Sequence, residues 1–337
     1  MHEWGGEPEL TELPIPQPGP GEVLIKVSAC GVGLTVLNVM AGVLGRPGNL
    51  PRVPGHEIAG TVVSLGPGVT GLAVGDRVIN YFYVTCGHCD MCRQGRDTLC
   101  RNWSGYVSVH RDGGYAEYTC LPATNLFKLP ESIDLVAATA IPDAIGTPLH
   151  VTQSRARVRP GDRCLILGAA GGVGIHLVQM MNLFGGEVIA IDLSDEKLAA
   201  CRPLGAAHVV NAQTDDLQAA VMSITDGRGV DVAVDLVGTE ATLNQTFTLL
   251  ADGGRMVNLT TFHGPRYHID PIALTNKELQ LMGSRYVSKF ELQQAIDLVA
   301  AGKIRPIVSE TAPLAEFDRL HARVRANALL GRAAIIP

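Results

Sequence analysis

The sequence predicts two regions of different fold class: a β-barrel-type region built from short strands, and an α/β region with a doubly wound parallel sheet. Up to about Ile145, short apolar runs such as residues 23–29 and 58–65 are separated by Gly and Pro. This punctuation favours an all-β region. From there to residue 259, strand-like runs alternate with runs at helical spacing. Such alternation favours a parallel sheet with helices on both faces.

Composition excludes several classes of partner. The chain has 337 residues, enough for two domains that each bury a core. Its net charge is −6 without a long basic run, so neither nucleic acid nor an anionic membrane is expected as a partner. No apolar run reaches the roughly 18 residues that span a bilayer, and residues 1–6 do not resemble a signal peptide. We therefore expect a cytoplasmic protein that acts on a small molecule.

The most informative stretch of the second region is residues 164–174, an apolar run followed by a glycine turn. Residues 175–184 then carry apolar positions at helical spacing. A strand, a glycine turn and a helix N-terminus together form a site for a dinucleotide pyrophosphate, because glycine lets the backbone approach the phosphates. The residues assigned to this site are Gly168, Gly171, Gly172, Val173 and Gly174. A glycine-rich turn in an unrelated α/β protein is the alternative.

An acidic residue ends the next predicted strand. Residues 187–191 are apolar after Glu187, and Asp192 follows them. A carboxylate at this position accepts hydrogen bonds from the adenosine ribose and repels a 2′-phosphate. The sequence therefore predicts NAD(H) in preference to NADP(H).

Four cysteines have the spacing of a metal site. They are Cys86, Cys89, Cys92 and Cys100, separated by two, two and seven residues. Four thiolates from one loop can close a tetrahedron around Zn²⁺ and leave no open position, so we expect one structural zinc. An iron–sulfur cluster and a redox dithiol pair remain alternatives.

These motifs together resemble the zinc-containing alcohol dehydrogenase branch of the medium-chain dehydrogenase/reductase superfamily. The resemblance rests on the cysteine spacing, the glycine turn and residues 54–60, 74–78, 113–118 and 204–210. It implies a GroES-like catalytic domain over residues 1–145 with a zinc lobe at 86–100, and a Rossmann domain over 146–285. It also implies that residues 286–337 return to the catalytic domain, and that the protein is a homodimer or homotetramer.

The resemblance also implies a catalytic zinc held by Cys, His and a third ligand. His56, with Glu57 beside it, stands at the His position, and Asp143 stands at the third. Gly33 stands where the Cys belongs, and Val36 replaces the acid that orients the His. We therefore favour an emptied site in which His56 and Asp143 form a hydrogen-bonded pair, over a second zinc on His56, Glu57 and Asp143. On this basis Gly33→Cys is expected to restore a Cys–His–Asp ligand set.

Other positions acquire roles only through the resemblance. Thr35 stands where a hydroxyl relays the substrate proton, and Asn38 where many members have a relay His. Further predicted contacts are Thr147 and Val173 with the nicotinamide, Lys197 with the adenosine ribose and Phe82 with the substrate. For Phe82, plain core packing is an equal alternative.

Three functions follow, and they stay open at this point. The favoured function is an NAD(P)-dependent oxidoreductase that transfers hydride to a C=C, C=N or C=O bond without a catalytic zinc. The second is a zinc-dependent alcohol dehydrogenase that uses His56 and Asp143 as ligands. The third is a protein that binds NAD(H) without turnover.

Overall fold

The computed structural model describes residues 1–261 and 263–337. The strands are β1 (Glu22–Val32), β2 (Ile58–Leu65), β3 (Arg77–Asn80), β4 (Tyr83–Val84), β5 (Gly105–Tyr106), β6 (Tyr118–Pro122), β7 (Leu126–Lys128), β8 (Arg163–Leu167), β9 (Glu187–Asp192), β10 (Ala206–Asn211), β11 (Val230–Asp235), β12 (Leu250–Asn258), β13 (Gln280–Gly283), β14 (Val308–Pro313) and β15 (Arg332–Ile336). The α-helices are α1 (Leu34–Met40), α2 (Asp90–Arg93), α3 (Leu135–Ala138), α4 (Gly146–Leu149), α5 (Gly174–Leu183), α6 (Asp195–Cys201), α7 (Leu217–Ile224), α8 (Glu240–Thr248), α9 (Pro271–Asn276), α10 (Lys289–Ala300) and α11 (Phe317–Arg325).

The chain divides into two compact units. The first contains Met1–Asp143, Val287–Gly302 and Pro306–Pro337. The second contains Ala144–Tyr286 and Lys303–Arg305. Each unit has its own sheet, as the change in sequence pattern near Ile145 predicts.

The first unit is organised around the long strand β1. Its seven-stranded sheet has the order β14-β15-β1-β2-β3-β7, and β6 also pairs with β1. One edge of β1 pairs with β2, and the other pairs with β6 near Glu22 and with β15 near Val32. Register shifts in the β1–β2 ladder mark bulges, which bend a strand. The bent strand therefore delivers residues 31–33 to a point between β2 and β15.

The second unit has a doubly wound sheet. Its six strands are all parallel and have the order β10-β9-β8-β11-β12-β13. The strand order reverses at β8, and ligands bind open α/β sheets outside the carboxyl ends of the strands at such a point. Leu165, Ile189, Val210 and Val221 lie in one buried cluster, because helices cover the faces of the sheet.

Side-chain caps fix the starts of several helices. Each capping oxygen accepts a hydrogen bond from a backbone N–H of the first turn, which would otherwise lack a partner. The caps are Ser194 for α6, Asp216 for α7, Thr239 for α8, Asp270 for α9 and Ser288, in a capping box with Glu291, for α10. These polar residues explain why the helices begin where they do.

The predicted fold class, α/β plus β, is confirmed. The sequence pattern did not predict α1 or the π-helical turns Ile141–Ile145 and His150–Arg155. Helix α1 begins at Leu34, after Gly33, which has no side chain to cap it, and prolines interrupt the pattern around residues 142–148. Within the described ranges, every helix is too short or too polar to cross a membrane.

Candidate active site

Two glycines at the end of β1 make room for two charged side chains. Gly31 donates its N–H to the Glu57 carbonyl at 2.8 Å, and the β1–β15 register beyond Val32 brings Arg332 beside Gly33. A Cβ on Gly31 would collide with the Glu57 carboxylate. A Cβ on Gly33 would collide with Nη1 of Arg332 and lie 2.6 Å from its Cζ. Glycine is therefore required at both positions while these side chains point inward.

Arg332, Glu57 and Asp143 form a buried ion cluster. Arg332 Nη2 donates to Glu57 Oε1 at 2.8 Å and to Asp143 Oδ2 at 3.0 Å. All three residues are less than a tenth exposed. Burial raises the pKa of Glu57, and Arg332 offsets only part of this shift. Burial acts to lower the pKa of Arg332, but the two carboxylates outweigh it and the pKa is raised. The guanidinium therefore stays charged.

His56 and Thr35 border the same carboxylate. Thr35 Oγ1 donates to Asp143 Oδ2 at 3.4 Å, whereas His56 Nε2 lies 3.7 Å from that oxygen, beyond hydrogen-bond distance. His56 is buried, and neither ring nitrogen has a hydrogen-bond partner among the described residues. The predicted hydrogen-bonded pair of His56 and Asp143 is therefore wrong, because Asp143 Oδ2 bonds Arg332 and Thr35 instead.

A catalytic zinc does not suit this donor set. One donor atom each of His56, Glu57 and Asp143 lies within 4.8 Å of the others. However, both carboxylates already bond the guanidinium, and no thiolate comes from position 33. A divalent cation here would also face the charge of Arg332. Arg332 lies beside the expected metal site, and a cysteine at position 33 would have to displace its guanidinium before it could complete a ligand set.

The neighbouring predicted residues lie in α1 and next to His56. Thr35 and Asn38 are three positions apart in α1 and so share one side of that helix. Val36 is buried in the same helix. The Phe82 ring centroid lies 4.9 Å from that of His56, so Phe82 forms a wall beside the imidazole.

Sequence reasoning missed Arg332. Nothing in its local sequence distinguishes it from a surface arginine at the start of a strand. The usable signal was electrostatic: two acidic residues predicted at one buried site, without a thiolate or a metal, need a positive partner. The β1–β15 register then identifies Arg332 as that partner.

The four predicted zinc-binding cysteines converge. Their Sγ atoms are 3.6 Å apart for Cys89–Cys92, 3.9 Å for Cys89–Cys100 and 3.5 Å for Cys86–Cys100. Zinc–sulfur bonds of about 2.3 Å in a tetrahedron separate the sulfurs by roughly 3.8 Å. Backbone N–H groups of Cys92 and Arg101 lower the pKa of Cys89 to about 6, whereas burial raises the pKa of Cys92 to about 12. The sulfur separations and the four-thiol donor set therefore fit zinc.

The predicted glycine turn lies between β8 and α5. Gly168 has φ +80°, and Gly171 donates its N–H to the Gly168 carbonyl at 3.3 Å. A Cβ on Gly174 would collide with that carbonyl. Gly172 and Val173 complete the turn, and Val173 is the N-cap of α5. The turn therefore fits a dinucleotide pyrophosphate at the helix N-terminus.

Asp192 is the last residue of β9 and lies next to this turn. Its Oδ2 accepts from Ala170 N–H at 3.0 Å and its Oδ1 from Leu193 N–H at 2.8 Å. Lys197 lies in the first turns of α6, and Thr147 is buried in α4. The carboxylate of Asp192 is therefore held beside the turn that would contain the phosphates.

The chain combines a β-rich unit that carries a cysteine lobe with a unit that has a dinucleotide-binding turn. This combination is typical of oxidoreductases of the alcohol dehydrogenase type. Residues 19–131 match the family model described as alcohol dehydrogenase GroES-like domain, and residues 172–301 match the zinc-binding dehydrogenase family. The chain belongs to the medium-chain dehydrogenase/reductase superfamily, with its GroES-like and Rossmann folds. It is an NAD(P)-dependent oxidoreductase of that type.

Relatives of this chain carry two kinds of activity in their names. It is 33% identical to an NAD-dependent alcohol dehydrogenase from Sulfolobus acidocaldarius, covering 94% of this chain and 93% of the relative. It is 30% identical to an acryloyl-coenzyme A reductase from Metallosphaera sedula, covering 96% and 95%. The crystal structure of the alcohol dehydrogenase from Aeropyrum pernix covers all of this chain and 98% of its own, with a TM-score of 0.91 and 33% identity.

Proposed function

We propose that this protein is an NAD(H)-dependent reductase that uses no metal at the His56 site and reduces a C=C bond conjugated to a carbonyl group. The observation that carries the proposal is the ion cluster: Arg332 bonds both carboxylates, and Gly33 offers no thiolate. The relative named acryloyl-coenzyme A reductase supports a conjugated substrate. Structural zinc in the cysteine lobe is part of the proposal, and so is assembly as a homodimer or homotetramer.

Without a Lewis acid, conjugation within the substrate must supply part of the activation. NADH held at the glycine turn would supply the hydride: its nicotinamide C4–H bond would break as a C–H bond forms at the carbon β to the carbonyl, leaving NAD⁺, and the C=C electron pair would move toward the carbonyl oxygen. A proton then adds to the α carbon, so the reduction consumes one hydride and one proton. A conjugated carbonyl makes the β carbon electrophilic, whereas an isolated ketone has no such carbon and depends on polarisation of its C=O bond by a metal ion or by hydrogen-bond donors.

Two side chains of the first unit have free hydrogen-bonding capacity for this chemistry. An imidazole ring carries a proton on at least one nitrogen, and neither nitrogen of His56 has a partner among the described residues. His56 therefore serves as a donor to the carbonyl oxygen as negative charge develops there. Thr35, bonded to Asp143, serves as the hydroxyl through which the proton is relayed.

The preference for NAD(H) is also a proposal. Asp192 is held by two backbone N–H groups beside the glycine turn, and residues 193–196 contain no arginine or lysine to neutralise a 2′-phosphate. A fixed carboxylate at this position disfavours NADP(H).

Metal analysis of the full-length protein, combined with a substrate panel, tests the proposal. We expect one zinc per chain, NADH oxidation with an α,β-unsaturated thioester such as crotonyl-coenzyme A, and no activation by added zinc. Two zinc ions per chain, with alcohol oxidation that a chelator abolishes, would instead establish the zinc-dependent alcohol dehydrogenase through His56, Glu57 and Asp143. Binding of NADH without turnover across the panel would favour the non-catalytic protein.

Thr35 provides a matched pair of variants. We expect Thr35→Ala to lower the turnover number by about 100-fold, which is the lower end for losing a proton-transfer group. Thr35→Ser retains the hydroxyl and should stay within a few-fold of the wild type. Equal turnover of the two variants would remove Thr35 from the mechanism.

A further inference from the structure

We propose that Asp195 is a second acidic residue that disfavours NADP(H), and that Asn211 holds its carboxylate in place for this role. Asp195 is the first residue of α6, and Asn211 is the last residue of β10. The inference rests on the proposed preference for NAD(H) and deepens it, because it adds a specificity-determining residue to the site of Asp192.

The β9–β10 ladder places Asn211 beside Asp192. The two strands are parallel, and their register pairs Asn211 with Asp192 at the carboxyl ends. Neighbouring strands lie about 4.8 Å apart, so the two side chains start one strand spacing from each other. Ala212 continues the pairing, because its N–H donates to the Asp192 carbonyl at 3.0 Å. Asn211 therefore has a fixed place next to the acid that is expected to bind the adenosine ribose.

The amide of Asn211 fixes the carboxylate of Asp195. Its Nδ2 donates to Asp195 Oδ1 at 2.8 Å, and its Oδ1 accepts from the Gln213 N–H at 3.0 Å. Because both ends of the amide are bonded, Nδ2 is directed toward α6. Asn211 is buried, whereas Asp195 is exposed. The hydrogen bond therefore holds an exposed carboxylate over the end of β10.

The two acids lie on different sides of the end of β9. The strand order is β10-β9-β8, so β8 and β10 flank β9. Asp192 reaches the turn that follows β8, where its Oδ2 accepts from the Ala170 N–H at 3.0 Å. Asp195 is held on the other side, over β10. A ribose bonded to Asp192 would therefore have the glycine turn on one side and the carboxylate of Asp195 on the other.

Charge makes this arrangement selective. A phosphate monoester carries roughly −1.5 to −2 charges at pH 7, and a carboxylate a few ångströms away repels it even in water. NADH has a neutral hydroxyl where NADPH has this phosphate. Lys197, two positions along α6, would attract the phosphate, so exclusion requires acids that outweigh this lysine. Asp195 supplies the second of them, and its charge affects NADPH far more than NADH.

Fluorescence titrations of the full-length protein with NADH and with NADPH test the proposal. Asp195→Asn retains an oxygen for Asn211 Nδ2 but loses the charge. It should therefore bind NADPH about five-fold more tightly than the wild type does, with NADH affinity within about two-fold of the wild type. When added to Asp192→Asn, it should increase NADPH affinity by a similar further factor.

The matched control is Asp226→Asn, which removes one exposed negative charge from the same unit. Asp226 precedes β11, so it lies at the amino edge of the parallel sheet, opposite the edge where Asp195 follows β9. The control should change neither affinity. An equal gain in NADPH affinity for Asp226→Asn and Asp195→Asn would show an effect of net charge and overturn the specific role of Asp195.

Salt provides a measurement that a purely structural role of Asp195 would not affect. Added sodium chloride screens the repulsion between exposed charges. The ratio of the NADPH to the NADH dissociation constant should therefore fall with salt more steeply in the wild type than in Asp195→Asn. Asn211→Ala keeps the charge but releases the carboxylate, so it should show part of the gain in NADPH affinity of Asp195→Asn.

The outcomes separate this inference from the proposed cofactor preference. Equal affinities of the wild type for NADH and NADPH would overturn both. If the wild type prefers NADH but Asp195→Asn binds NADPH no more tightly than the wild type does, only the role of Asp195 is overturned. The same conclusion follows if the salt dependence of the ratio is identical in the wild type and Asp195→Asn.

Discussion

Acid should weaken the first unit through His321, a buried histidine of α11. Its Nε2 lies 3.0 Å from the Tyr115 hydroxyl, and Nδ1 has no partner among the described residues. Burial, with a smaller effect of Arg325, lowers the pKa of His321 from its usual 6.5 to about 4. The unfolded chain binds a proton near pH 6.5, whereas the folded chain binds it only near pH 4. The free energy of unfolding therefore falls as the pH falls between these values, by about 2 kcal/mol at pH 5 and about 3 kcal/mol in full.

Urea denaturation of the wild type and His321→Gln at matched pH values between 8 and 5 measures this contribution. The variant retains a polar partner for Tyr115 but does not titrate, so its stability relative to the wild type should rise by about 2 kcal/mol over this range. Comparison at the same pH cancels loss of zinc from the cysteine lobe, which acid also promotes. The control variant His2→Gln removes an exposed histidine of the same unit, and its stability relative to the wild type should not change with pH. If the difference in the free energy of unfolding between the wild type and His321→Gln did not change with pH, the reasoning would be refuted.

Two further predictions concern the metal and the cofactor. Cys92→Ser should reduce the zinc content from one per chain toward none and lower the melting temperature, because metal binding is coupled to local folding. The control variant Cys120→Ser, outside the lobe, should retain the zinc. An unchanged zinc content in Cys92→Ser would remove the assignment of a structural zinc. NADH should bind at least about ten-fold tighter than NADPH in a fluorescence titration, which is about 1.4 kcal/mol. Asp192→Asn retains an acceptor for the Ala170 N–H but loses the charge, so it should reduce the difference between the NADH and NADPH affinities. Equal affinities of the wild type for NADH and NADPH would contradict the role of Asp192.

The second unit was predictable from the local sequence pattern. Its strands and helices differ in the spacing of their apolar residues, and polar residues mark where several of its helices begin. The strands β8 and β9 read as apolar runs, since both faces of a parallel sheet are covered. Ser194 and Thr239 are N-cap residues, which mark the starts of α6 and α8 in the sequence itself. Helix α1 lacked such a signal, because the residue before it is glycine and the helix is only seven residues long.

The candidate site was predictable only in part, because its residues come together through long-range pairing. The resemblance placed His56 and Asp143 at one site, and the structure has Nε2 and Oδ2 3.7 Å apart. It gave no partner for the acidic groups, since Arg332 is 275 positions from Glu57 and 189 from Asp143 in the sequence. Only the register of β15 on β1 connects them.

Gly31, in β1, and Gly33, directly after its last residue, both lie at the ion cluster. A glycine at position 33 removes a thiolate, and in isolation this loss would leave Glu57 and Asp143 as buried charges without a counter-ion. The same glycine opens the space through which Arg332 reaches both carboxylates. Gly33 therefore lacks the thiolate that a catalytic zinc would need, and it leaves room for the guanidinium that offsets the charge of Glu57 and Asp143.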